Sequence, residues 1–170
     1  MPSPLGHGLA ALAAGWAAAG VHAGTHDRAR QVAILVAIGI APDLDLLINR
    51  HSMESHSIGA AALVAGLAAW QRWPVASSRP AIGLAVALAW LSHPLLDALG
   101  SDTSAPFGVM AFWPFSGAHV HTGWDVFGPI SRRYWLDNFW TINATSIARE
   151  VVILAPIAAA AWFFRRRPAA

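Results

Sequence analysis

The chain has 170 residues, 56% of them hydrophobic and only 12% charged, with a net charge of +2 and no cysteine. The charged share is about half the ~25% usual for soluble domains, and the eleven basic residues are scattered arginines with no lysine. That composition excludes a nucleic-acid binder, disulfides and cysteine-ligated zinc, and the length predicts one domain spanning 1–170.

Residues 5–23 form a first apolar segment, rich in Ala and Gly. It is expected to be a retained helix rather than a signal peptide, because no Arg or Lys precedes it. Thr25 to Arg30 reads as a polar turn. Residues 31–41 are apolar and run into Pro42, which disfavours helical geometry at the residue before it and should break or kink the helix.

The window 42–57 then concentrates ionisable groups: Asp43, Asp45 and Glu54 of nine acids, His51 and His56 of eight histidines. Ionisable groups beside a hydrophobic core are costly unless paired. A divalent metal takes carboxylate oxygen and imidazole nitrogen together; the plainer reading is a polar loop between helices. Residues 57–71 make a third apolar segment, residues 73–80 a turn, and residues 81–99 a fourth segment. That segment contains His93 and Asp97, four apart and so on one helical face. Pro94 should kink it, and Gly100 is expected as a C-cap. The stretch 101–148 carries five aromatics between Phe107 and Trp124, with several Gly and Pro. It reads as a long irregular lid with short helical pieces, lining a pocket or lying at a membrane interface where Trp is enriched. Residues 149–164 form the last apolar helix, and 149–167 ends in Arg165 to Arg167. The expected fold is thus all-α, a membrane-associated bundle of about five helices with a long aromatic-rich loop.

Several of these pieces together resemble the YdjM-like family of metal-dependent hydrolases, inner-membrane proteins of which some are under LexA control. The matching pieces are Pro2-Ser3-Pro4-Leu5-Gly6-His7, Pro42-Asp43-Leu44-Asp45, His51 with His56-Ser57, His93-Pro94-Leu95-Leu96-Asp97 and Trp113-Pro114-Phe115. They span roughly the first 115 residues. Where the family has Arg-Gly after the first of the paired histidines and Thr before the second, this chain has Ser52, Met53 and Ser55. The order His, Asp, His, then His-x-x-x-Asp is more distantly similar to zinc-dependent phospholipase C.

The resemblance implies a ligand set of His7, Asp43 and/or Asp45, His56, His93 and Asp97. His51 is a further ligand or an outer partner. Glu54 is the candidate base or outer orienter, against the alternative of a solvated loop residue. Zinc is the first expectation for the ion, with manganese or iron fitting nearly as well. A coordinated water made acidic by the ion would be the nucleophile. His119 and His121, with Asp102 and Asp125, are read as loop residues rather than a second metal site, and His22 and His26 lie at the far end. The implied activity is hydrolysis of a phosphoester or lipid-like substrate. The alternative is a non-catalytic membrane protein holding a structural metal or polar cluster.

Only 1–26 and 80–96 come near a twenty-residue uncharged span, so buried helices of a soluble bundle compete with a multi-pass protein. Arginine placement favours the bilayer. Arg28, Arg30, Arg72, Arg79 and Arg165 to Arg167 fall on one side, while Arg50, Arg132, Arg133 and Arg149 are diluted over a long loop on the other. Arginine-rich ends face the cytoplasm, so the expected location is a bacterial inner membrane with the metal site on the non-cytoplasmic side. The expected partners are the lipid bilayer and a small-molecule or lipid substrate, with no nucleic acid.

Overall fold

The computed structural model describes residues 1–103 and 105–166. Five helices carry the chain: α1 (Pro4–Ala19), α2 (Thr25–Ile40), α3 (Ile58–Gln71), α4 (Arg79–Leu99) and α5 (Phe139–Arg165). Two 3-10 segments, Ala41–Ile48 and Glu54–His56, lie between α2 and α3. Among the described residues there are only isolated bridges and no strand, as the all-α expectation required.

Helix starts follow local chemistry. Ser3 accepts from the Gly6 N–H at 3.2 Å ahead of Pro4, Ser57 accepts from Ala60, and Ser78 from Ala81 ahead of Pro80. Each supplies an oxygen to an otherwise unpaired first-turn donor. α1 lies at the centre, against α2, α4 and α5, while α3 packs on α4. Small residues permit this: Ala11, Ala68, Ala85 and Ala89 are fully buried. Gly39 of α2 lies so close to α1 that an added Cβ would sit 2.5 Å from the Ala11 Cβ. α5 is outermost; its buried residues Ser146, Glu150, Leu154 and Ala158 are spaced by four, one stripe along the helix.

The outer faces are apolar. Leu63, Trp70, Leu84, Val152 and Phe164 are all exposed, as expected of surfaces that meet lipid rather than water. Three helical stretches are long and apolar enough to cross a membrane: Thr25–Ile48, Arg79–Leu99 and Phe139–Arg165. α3, at 14 residues, rises about 21 Å, short of a ~30 Å hydrocarbon core.

Two helix starts differ from the sequence reading, those of α2 and α5, while the others agree with it. Thr25 to Arg30 is the first part of α2, not a turn; the reversal lies just before it, where the Gln31 side chain bonds the Gly20 and Val75 carbonyls at 2.8 Å. Just before Pro42 the α-helix ends, as expected, at Ile40. Ala41 keeps helical angles and the chain tightens into a 3-10 run to Ile48, ended by Asn49 in the left-handed region. Gly100 is the C-cap of α4, as expected, with its N–H on the Asp97 carbonyl and an extended rather than left-handed backbone. α4 runs on through Pro94. α5 begins at Phe139, ten residues before the expected 149, so the irregular segment is 101–138 rather than 101–148. Of the terminal arginines, Arg167 lies outside the described residues.

The helix ends sort onto two sides. Val21 donates to the Arg165 carbonyl at 2.9 Å, and Gln31 ties the α1–α2 turn to the α3–α4 turn. Arg28, Arg30, Arg72 and Arg79 sit in or beside those turns. The start of α1, the end of α2, the start of α3 and the end of α4 gather at the opposite end.

Candidate metal centre

Each of those four ends brings ionisable side chains. His7 stands in the first turn of α1, and Asp43 and Asp45 in the 3-10 run after α2. His56 ends the second 3-10 segment, and His93 and Asp97 lie in the last turns of α4. His7, His56, His93 and Asp97 are at most 1% exposed, whereas Asp43 and His51 retain 21% and 20%. The cluster is therefore buried on the bundle side and open only past Asp43 and His51.

The inner geometry is tight. His56 Nε2 and His93 Nε2 lie 3.1 Å apart. Asp97 Oδ2 is 3.2 Å from His93 Nε2 and 3.4 Å from His56 Nε2. Asp43 Oδ1 is 3.6 Å from His93 Nε2 and 3.9 Å from His56 Nε2. Neighbouring ligands of an ion held at ~2.0–2.2 Å lie about 3.3–3.6 Å apart in tetrahedral geometry, and these five distances, 3.1 to 3.9 Å, bracket that spacing. His7 Nε2 reaches the other Asp97 oxygen at 3.4 Å, and its ring stacks on His93 at 3.6 Å.

Outer contacts fix which ring nitrogens face inward. His93 Nδ1 is 2.6 Å from the Gly39 carbonyl, which can only accept, so Nδ1 carries the proton there. The neutral His93 ring then presents an Nε2 lone pair to the centre. His56 Nδ1 lies 3.1 Å from Asp45 Oδ2, and His51 Nδ1 lies 3.0 Å from Asp45 Oδ1. Asp45 thus spans two imidazoles, with Ser55 Oγ donating to it at 2.5 Å. The Trp90 indole N–H bonds the Ser55 carbonyl at 2.8 Å, fastening the His56 segment to α4. The result is a pair of inward Nε2 lone pairs, on His56 and His93, beside carboxylate oxygens of Asp43 and Asp97. Both Asp97 oxygens are buried with no well-aligned hydrogen bond, their neighbours being the ring nitrogens of His7, His56 and His93 at 3.2–3.4 Å. Such under-satisfied acceptors are expensive unless a cation lies among them. The residues present fit a divalent ion on that ground, and among the described residues His7, His93 and Asp97 form one close triad while Asp43, His51 and His56 form another.

His56 lies outside the long apolar spans. Burial disfavours its charged form, but the Asp45 and Asp97 carboxylates outweigh that and hold its imidazole above the ordinary value.

Glu54 is not drawn into the cluster. Its carboxylate pairs with Arg50, four residues before it, on the exposed side. Asp102 instead accepts from the Gly108 N–H at 2.8 Å, and His121 Nε2 lies 3.3 Å from the Gly100 carbonyl. Neither joins the close groups, nor do His119 and Asp125. The Trp113-Pro114-Phe115 stretch has a structural place: the Ala111 and Trp113 carbonyls accept from Ile58 and Gly59, capping α3 directly after His56.

Sequence reasoning passed over Glu150. It is fully buried and accepts from both the Ser3 N–H and the Ser3 hydroxyl, tying α5 to the start of α1 beside His7. A lone acid near the start of an apolar run was the available signal, since intramembrane acids are rarely idle. It also passed over Gly39, whose lack of a side chain brings α1 and α2 together and whose carbonyl holds His93.

A cleft of about 1100 Å3 lies over the open side, with Asp43, His51, Asp102, Arg132 and Arg133 in its walls. A family model described as YdjM inner membrane protein matches residues 1–168 of the chain. No curated protein and no solved structure matches it.

Proposed function

Since the chain belongs to the YdjM inner membrane protein family, we propose that it is a membrane-embedded, metal-dependent hydrolase acting on a phosphoester or lipid-like substrate. The observation that supports this reading most is the set of buried acceptor atoms around His56 and His93, combined with a cleft that opens on Asp43 and His51. A structural metal site is closed, whereas a catalytic one keeps a position open to substrate. Here the bundle side is sealed and the Asp43–His51 side is open.

In this reading His7, Asp43, His56, His93 and Asp97 hold the ion, zinc first by its donor set of imidazole and carboxylate. Asp45 orients His56 and His51, and the Gly39 carbonyl keeps His93 Nε2 free of a proton. A divalent ion held there would supply Lewis acidity, lowering the pKa of a water toward neutral. Asp43 and His51 line the cleft that the substrate enters, with the His51 ring held between Asp45 and the Met1 sulfur. The 101–138 segment covers the same end as a lid. Positive-inside placement puts Arg28, Arg30, Arg72, Arg79 and Arg165 in the cytoplasm and the cleft on the other side.

The test uses detergent-purified protein and chromogenic phosphomonoester, phosphodiester and phosphocholine substrates. Hydrolysis should stop with a chelator, return with zinc or manganese, and be absent from His93→Ala. Stoichiometric metal with no hydrolysis of any of them points instead to a structural metal.

A further inference from the structure

Every carboxylate near the centre repels an anionic substrate. Asp43, Asp45 and Asp97 surround it, and Asp102 lines the cleft above. A phosphate ester approaching from solvent therefore needs cations on the cleft wall. Among the described lining residues Arg132 and Arg133 carry the only guanidinium groups, and the Met1 ammonium there is engaged by the Ser101 carbonyl at 2.7 Å. Neither arginine forms an ion pair among the described residues, whereas Arg50, just outside, is taken by Glu54.

Their backbone is held in place. Asn143 of α5 grips Ser131 from both sides, its Oδ1 accepting the Ser131 N–H at 2.8 Å and its Nδ2 donating to the Ser131 carbonyl at 3.1 Å. The Ser131 hydroxyl accepts from the Arg133 N–H at 3.2 Å. The arginines thus stand on a fastened loop, and among the described residues their guanidinium groups form no hydrogen bond. A guanidinium offers its donors in a planar fork that matches two phosphate oxygens.

We infer that Arg132 and Arg133 form an anion subsite that receives the phosphate group of a phosphoester and holds it over Asp43 and His51. The inference rests on the hydrolase reading for its purpose, but the binding stands by itself. The shared chemistry is a phosphate ester. Leu136 and Ile142 on the same wall, and exposed Tyr134, Trp135 and Trp140 close by in sequence, suit a headgroup entering from the membrane surface.

Titration of short-chain phosphatidic acid in mixed micelles, and of glycerol phosphate in solution, tests the subsite on detergent-purified protein. Metal content is read in parallel. The wild type should bind, and Arg132→Gln/Arg133→Gln should weaken binding at least about tenfold with metal content and Tm unchanged. Arg28→Gln/Arg30→Gln, at the far end of the bundle, should bind as wild type. Binding of the lipid alone assigns the headgroup; binding of both assigns a soluble ester. Unchanged affinity in the cleft variant, or no binding of either ester by wild type, overturns the subsite. Binding that the double substitution weakens, in a wild type free of metal after purification in zinc- and manganese-supplemented buffer, overturns the hydrolase reading and leaves the subsite standing.

Discussion

His56 Nε2 and His93 Nε2 face each other at 3.1 Å, each ring engaged at its other nitrogen, His56 by Asp45 and His93 by the Gly39 carbonyl. Two neutral imidazoles so held present lone pair to lone pair, and Asp97 adds an oxygen 3.2 Å from His93 Nε2. That arrangement repels itself unless a proton or a metal ion sits inside it.

The two adjacent aspartates should separate by role. Asp43 reaches the Nε2 pair directly, whereas Asp45 contacts the Nδ1 atoms of His51 and His56. Asp45→Asn should weaken metal affinity about 10- to 100-fold, as for other outer partners of metal-bound histidine, and still bind stoichiometrically at saturation. Asp43→Ala should lose more. Competition against a chromophoric chelator reads both; equal losses contradict the assignment.

Gly39→Ala should destabilise by about 1–3 kcal/mol, the usual cost of overpacking, because its Cβ would meet the Ala11 Cβ at 2.5 Å and the His7 carbonyl oxygen at 2.8 Å. Metal affinity should fall with it, as His7 moves. Gly66→Ala is the comparison: nothing lies within 4 Å of its Cβ, and Ala there should stabilise α3 by about 0.5–1 kcal/mol. Thermal melts of both distinguish packing from propensity.

Glu150→Ala should cost about 1–3 kcal/mol, since it leaves the buried Ser3 N–H without an acceptor. Glu150→Gln keeps an acceptor for that N–H and a donor for the Ser3 hydroxyl, so it should recover most of the loss. Melting temperature and metal affinity should move together in both variants, because α5 holds the α1 start through this contact.

Protonation of His56 should compete with metal. Its folded-state value lies above the ordinary 6.5. In metal-free protein its contribution to stability is therefore full below about pH 6.5, and is lost as pH rises through the higher folded-state value. Metal needs the neutral ring, so affinity should rise over the same window, with proton release on binding. Melts of stripped and loaded protein against pH should diverge upward with pH; parallel curves contradict this.

Much of the bundle was legible because Ala- and Leu-rich runs are interrupted by Pro, Gly and Arg. The gathering of His7, Asp43, His56, His93 and Asp97 at one end was legible too, since antiparallel helices return alternate ends to the same place. What escaped depended on three-dimensional detail. The first turns of α5, Phe139 to Ala148, mix Thr, Asn and Ser and lack an apolar run, yet Asn143 and Ser146 are held there by Ser131 and Pro129. The division between Asp43 and Asp45 follows from the 3-10 twist after Pro42, which no spacing rule supplied. Glu54, placed between two histidines in sequence, is turned to Arg50 by a four-residue contact that its neighbours in sequence did not reveal.

The most direct measurement is elemental analysis of detergent-purified protein beside His93→Ala. The account predicts a stoichiometric divalent metal in the wild type, and its loss in a variant that still purifies as a folded helical protein. A wild type free of metal after purification in zinc- and manganese-supplemented buffer, or a His93→Ala protein with the same metal content, would contradict it.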